Sequence, residues 1–147
     1  MSLEEKEQYF VAVKIFLERD GEFFVCKDKY GSWDLPGGRI HKQETPYDAL
    51  KREVHEETGI ANLHNIEHFG TVLSDIRVPT YDAHTAGLIF SVYKCAVPEN
   101  VAIILSPEHS NYEWATIAKT IELLRTHYPH TFLAMLKELQ EEHEELE

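Results

Sequence analysis

The sequence predicts an α+β domain, an α/β/α layered sandwich around a mixed β-sheet. Three observations lead there. Strand-like apolar segments fall into two groups, one on each side of a single well-delimited helix. Two further amphipathic stretches close the chain after the last strand-like segment. Strands and helices therefore do not alternate one for one, which argues against a βαβ repeat with an all-parallel sheet.

Tyr9 to Leu17 carries Phe10, Val11, Val13, Ile15 and Leu17 and predicts the first strand. Asp20-Gly21 is hairpin turn chemistry, and Glu22 to Lys27, with Phe23, Phe24 and Val25, reads as the returning strand. Trp33-Asp34-Leu35 is a short extended piece, because Pro36 biases Leu35 away from helix. Gly37-Gly38 then let the backbone turn tightly or approach a ligand closely. A helix follows, with Thr45 as N-cap, Pro46 at N1, Asp48 in a capping-box pattern and Gly59 as the C′ stop. Leu50 and Val54 form its apolar stripe.

Asn65 to Val78 and Thr85 to Val97 predict two longer strands around a Pro79-Thr80-Tyr81-Asp82 turn, and Tyr112 to Ala115 a short one. Ile117 to Leu124 predicts a short helix and His130 to about Glu142 a longer one, with Phe132, Leu133, Leu136 and Leu139 on its stripe. Glu141 to Glu147 is a charge run expected to be a solvated, fraying tail. No repeat or linker interrupts this order, so residues 1–147 are expected to form a single domain.

Composition narrows the function. A hydrophobic content of 43% suits a packed globular core rather than a disordered chain. The net charge of −12 leaves no basic stripe for a nucleic-acid polymer. A single nucleotide is still compatible, because a bound cation inverts the local sign where phosphates dock. Met1 to Gln8 is charged and does not read as a signal peptide, and the longest apolar run, Ala86 to Val97, is broken by Ser91 and Lys94. Cys26 and Cys95 have no CxxC partner and are expected as buried, reduced thiols. These features predict a cytoplasmic protein without a membrane partner.

The chemistry concentrates on the first helix. Glu53, Glu56 and Glu57 are spaced by three and four residues and share one helix face. Adjacent carboxylates repel unless a cation sits among them, and a hard divalent ion takes oxygen ligands of this kind. A metal site doing phosphate chemistry is the expectation.

The residues Gly38, Glu44, Arg52, Glu53, Val54, Glu56, Glu57, Gly59 and Ile60 meet the pattern G-x5-E-x7-R-E-U-x-E-E-x-G-U, with U bulky and aliphatic, without departure. The chain thereby resembles the Nudix hydrolases, and Trp33-Asp-Leu-Pro-Gly-Gly resembles the usual lead into that box. Glu108-His-Ser-Asn-Tyr-Glu-Trp114 resembles a late segment of MutT-like members. Seven of the box positions each demand one residue type, so a chance match is on the order of 10⁻⁸ per window. A merely solvated acidic helix would explain neither the glycines nor Arg52.

The resemblance implies a Nudix fold with a metal-binding loop and helix. It also implies that Glu53, Glu56 and Glu57 ligate Mg²⁺ or Mn²⁺, with the Gly38 carbonyl as a further oxygen. Glu56, Glu57 or a glutamate on another loop would take the proton from water. Glu44 and Arg52 look like supports, an ion pair locking the loop to the helix and orienting Glu53. An ordinary i,i+4 pair of Arg52 with Glu56 is the alternative.

Glu108 matches a glutamate that approaches the metals in MutT-like relatives, or else lies in a solvated loop. Lys27 and Arg39 flank the expected phosphate site and could bind an α- or β-phosphate; surface cations are common, so both readings stand. Trp33, Tyr9 and Phe10 could stack on a base, although strand aromatics usually fill cores. The nine histidines are scattered, and no pairing among them points to a transition-metal site.

By resemblance the substrate is a nucleoside diphosphate linked to a further moiety. The downstream proline or tyrosine that marks ADP-ribose or dinucleoside polyphosphate types is out of place here, since Pro79 and Tyr81 come late. The leading expectation is a MutT-like (d)NTP pyrophosphohydrolase yielding a nucleoside monophosphate and pyrophosphate, as a monomer or homodimer. The alternatives are an ADP-ribose or nucleotide-sugar pyrophosphatase and a non-catalytic nucleotide-binding regulator. The few residues before the first strand weigh against the swapped dimers of the former, and the intact box against the latter.

Overall fold

The computed structural model describes residues 6–146. In chain order the elements are β1 (Tyr9–Arg19), β2 (Glu22–Asp28), β3 (Trp33–Asp34), β4 (Gly37–Arg39), α1 (Pro46–Thr58), β5 (Glu67–Leu73), β6 (Val78–Pro79), β7 (Thr85–Ala96), β8 (His109–Ala115), α2 (Ile117–Leu124) and α3 (His130–Leu146). The predicted α+β class and mixed sheet are both present.

β1 and β7 form the centre, parallel from Tyr9 opposite Gly87 to Glu18 opposite Ala96. Every other pairing is antiparallel. β1 shares its second edge: β2 pairs with its end at Glu18 and Arg19, and β4 with Ala12 to Lys14. β1 is buried on both faces from Ala12 to Leu17, which a central strand of a covered sheet requires. Its alternate side chains enter separate cores. Ala12 and Phe16 pack with Leu124, Phe132 and Leu136 of α2 and α3, whereas Val13, Ile15 and Leu17 pack with Ala49, Leu50 and Val54 of α1. Helices thus cover opposite faces of the sheet, in three layers.

Local signals set the helix that carries the glutamates. Thr45 is extended, and its hydroxyl accepts from the Asp48 amide at 3.1 Å; Gly59 ends the helix in the left-handed region at φ 78°. Among the described residues only this forward half of the capping box forms. Thr45→Ala should cost about 1 kcal/mol, read as a lower denaturant midpoint at unchanged slope.

Three expectations change. Gly37-Gly38, expected to turn tightly or approach a ligand closely, lie with Arg39 in a strand, because this backbone completes the edge of β1 left uncovered by β2. The strand expected over Asn65 to Val78 is broken between Leu73 and Val78, where the Ser74 amide still donates to Leu88 O. The charge run after Glu141 is helical to Leu146 rather than frayed, since glutamate is a good helix former and its charges stay solvated; Glu147 lies outside the described residues. Cys26 and Cys95 are buried free thiols, as expected.

Candidate functional site

The site is built where α1 meets β4 and the loop before β8. Glu53, Glu56 and Glu57 line a pocket of about 370 Å³ with Ser106, Pro107 and Glu108. The loop is tied to the end of α1: Ile104 N–H donates to Thr58 O at 2.8 Å and Ser106 N–H to Glu57 O at 3.1 Å. These bonds satisfy helix carbonyls that would otherwise lack partners. They also bring Glu108, far away in sequence, to the three glutamates.

Glu57 is the most perturbed member. It accepts from the Gly37 amide at 3.0 Å. Burial pushes its carboxyl up to about 8, against the opposing pull of Lys14 and the Gly37 amide. A carboxyl that resists charging in isolation becomes an anion readily when a cation arrives. Glu53 lies against β4, where a Cβ on Gly38 would come within 2.5 Å of Glu53 Oε1. A larger residue there would have to displace the Glu53 carboxylate from its contact with Arg52. Glu56 is more open, with its side chain 57% exposed.

Arg52 organises this face. Its Nε and Nη2 bind the two oxygens of Glu44 at 2.7 and 3.0 Å, while Nη1 lies 2.9 Å from Glu53 and 3.5 Å from Glu56. The pair with Glu44 and the i,i+4 contact with Glu56 therefore coexist, and the shorter, bidentate one is to Glu44. The Arg52 hydrogen bonds, helped by the His41 amide, hold the Glu44 carboxyl down at about 2. Arg52→Ala should lower divalent-ion affinity or turnover by roughly 10- to 100-fold, with Arg52→Lys a poor substitute because one ammonium cannot span both Glu44 oxygens. Metal titration of the variants measures this.

A second cavity, of about 390 Å³, is lined in part by Gly38 and Arg39. Lys14, Asp34, Arg39, Arg77, Phe90 and His127 contribute to its lining. Lys14 is buried, and its ammonium donates to Asp34 Oδ2 at 2.9 Å and Leu35 O at 3.4 Å. The Tyr128 hydroxyl donates to the other Asp34 oxygen. Burial alone would lower the Lys14 pKa, but Asp34 and, more weakly, Glu57 outweigh it and raise the net value. Arg39 also stacks over Phe10, its Cζ 5.1 Å from the ring centroid.

The structure thus gathers Glu44, Arg52, Glu53, Glu56, Glu57 and Glu108, and sets Gly38, which lines the second cavity with Arg39, against Glu53. Lys27 lines neither; its ammonium stands 5.9 Å from the Trp33 ring centroid. Of the aromatics, Tyr9 and Phe10 are partly exposed, whereas Trp33 packs against the core. Lys14, Asp34, Arg77, His127 and Tyr128 were not anticipated. One signal existed: a lysine amid Val-Ala-Val and Ile-Phe-Leu must find a buried partner.

The NUDIX domain family matches residues 8–136. The chain belongs to the Nudix family. Among curated proteins it is 30% identical to nucleoside triphosphatase NudI of Escherichia fergusonii over 106 residues, covering 67% of this chain and 75% of that one. It is 32% identical to a MutT-like protein of Streptomyces ambofaciens, over 69% of this chain and 60% of that longer protein. Among solved structures, a MutT protein from Methanosarcina mazei Go1 superposes with a TM-score of 0.71 at 24% identity, covering 94% and 97% of the two chains. The E. coli dihydroneopterin triphosphate pyrophosphohydrolase superposes at 0.69 and 17% identity, covering 90% and 97%.

This MutT-like Nudix chain is a hydrolase acting on phosphoric anhydride bonds of nucleotides. Nudix hydrolases use divalent metal ions, and the donors here fit one: three carboxylates on one helix face beside a glycine strand form an all-oxygen set suited to a hard cation. No helix among the described residues is long and apolar enough to cross a membrane.

Proposed function

We propose that this Nudix hydrolase cleaves nucleoside triphosphates, ribo or deoxy, to a nucleoside monophosphate and pyrophosphate. Glu53, Glu56, Glu57 and the Gly38 carbonyl are the proposed ligands for Mg²⁺ or Mn²⁺. The observation that carries the reading is Gly38, which lines the second cavity and abuts Glu53 of the carboxylate pocket. A phosphate chain over the carboxylates then leaves its nucleoside within reach of Phe90, Lys14 and Asp34. Relatives named nucleoside triphosphatase, at about 30% identity, favour a triphosphate.

When bound, the metal neutralises charge on the phosphate oxygens and acidifies the attacking water. The chain supplies the rest. Glu44 and Arg52 fix Glu53 in one orientation. Arg39 contributes a guanidinium where a phosphate passes between the cavities. Glu56 and Glu108 stand at the open side of the pocket, where a carboxylate accepts the proton of the water.

A panel of canonical and oxidised ribo- and deoxynucleoside triphosphates, ADP-ribose and nucleotide sugars, assayed with Mg²⁺, tests the reading. The highest kcat/KM is expected with a triphosphate. Turnover of ADP-ribose or a nucleotide sugar without turnover of any triphosphate overturns it.

A further inference from the structure

Behind the carboxylate pocket lies a donor set of different chemistry. One ligand atom each from Cys26, Glu57 and His109 lie within 4.8 Å of one another. Three elements converge to place them: Cys26 on β2, His109 at the start of β8, and Glu57 near the end of α1. The convergence is held by backbone. Cys26 pairs with Tyr112 in the β2–β8 ladder, and the register shift between Lys27 and Asp28 sets His109 opposite Asp28. Ser106 links the remaining two, donating its amide to Glu57 O and placing its hydroxyl 2.9 Å from His109 Nδ1.

We propose that Cys26, His109 and Glu57 form a second metal site that takes a thiophilic divalent ion such as Zn²⁺ and competes with the all-oxygen cluster for Glu57. A sulfur, an imidazole nitrogen and a carboxylate oxygen are a borderline-soft set, matching Zn²⁺ and offering little to Mg²⁺. Three protein ligands leave one position for water or a phosphate oxygen. Tetrahedral zinc places its donors roughly 3.3–3.8 Å apart, so the three side chains close by about 1 Å on binding. Glu57 and Ser106 also line the carboxylate pocket, which therefore adjoins the donor set. Coordination sends the Cys26 proton to solvent and turns the Glu57 carboxylate toward the sulfur. The competition rests on the ligand role proposed for Glu57; the metal site itself does not.

Titration of the metal-free protein with Co²⁺ separates the two. Wild type and Cys95→Ser should each bind one ion with a thiolate-to-cobalt charge-transfer band, and Cys26→Ser and Cys26→Ala should lack that band. Zn²⁺ affinity, measured by competition with a chromophoric chelator, should fall at least about 10-fold in both Cys26 variants and in His109→Ala. Mg²⁺-supported turnover should persist in Cys26→Ser but require about 10-fold more Zn²⁺ for inhibition than wild type. A wild-type cobalt complex without the band, or unchanged Zn²⁺ affinity in both Cys26→Ala and His109→Ala, overturns the proposal. If the band appears while no nucleotide is turned over, the site stands and the functional reading falls.

Discussion

Glu57→Gln lowers metal-supported turnover by on the order of 10³-fold, the scale of losing a charge-stabilising group in phosphoryl transfer. The same change stabilises the metal-free protein above neutral pH. Burial raises the Glu57 carboxyl from its ordinary 4.5 to about 8, so the folded state holds that proton more tightly than the unfolded chain. That favourable contribution is fully present below the unfolded value and is lost as pH rises through the folded one. Metal-free wild type should therefore lose on the order of 3 kcal/mol between about pH 5 and about pH 8.5. Glutamine cannot ionise, and its variant should be free of this slope. Mg²⁺ should raise the wild-type melting temperature more at the higher pH, because the ion supplies the missing countercharge. Thermal unfolding of stripped protein at both pH values, with steady-state rates beside it, measures all three effects. Retained turnover together with a retained slope would contradict the assignment.

Lys14→Met destabilises the fold by roughly 3 kcal/mol, because it leaves the half-buried Asp34 carboxylate beside Tyr128 without its counterion. The ammonium is 10% exposed and Asp34 25%, so solvent cannot replace the lost partner fully. Removing both charges in Lys14→Met/Asp34→Asn should recover part of the loss, a coupling that a double-mutant cycle in denaturant reads directly. If the single and double variants are equally unstable, the pair is not what anchors β1 to β3. Since both residues line the second cavity, KM for the best nucleotide should rise in variants that still fold.

Parts of this protein were legible in the sequence because their causes are local. Thr45, Pro46 and Gly59 delimit α1 within 15 residues, and the same helix spacing groups Glu53, Glu56 and Glu57. β4 was not legible: two glycines and an arginine have no strand propensity, and they form a strand only because β1 offers a vacant edge. The second cavity was hidden for a related reason. Tyr128 and Asp34 are 94 residues apart, and nothing near either predicts their hydrogen bond. Glu108 is intermediate, suggested by a short motif but brought to the pocket by the amides of Ile104 and Ser106. Lys27 shows the converse, since closeness to the glycine turn in sequence does not carry its ammonium into either cavity.

We propose that the carboxylate helix directs metal-dependent cleavage of a triphosphate into a monophosphate and pyrophosphate. Phosphorus NMR of the reaction with the best triphosphate tests it most directly. With Mg²⁺, nucleoside monophosphate and pyrophosphate should form in equal amounts, with no reaction once a chelator is added. Nucleoside diphosphate with orthophosphate, or turnover that survives the chelator, would contradict it.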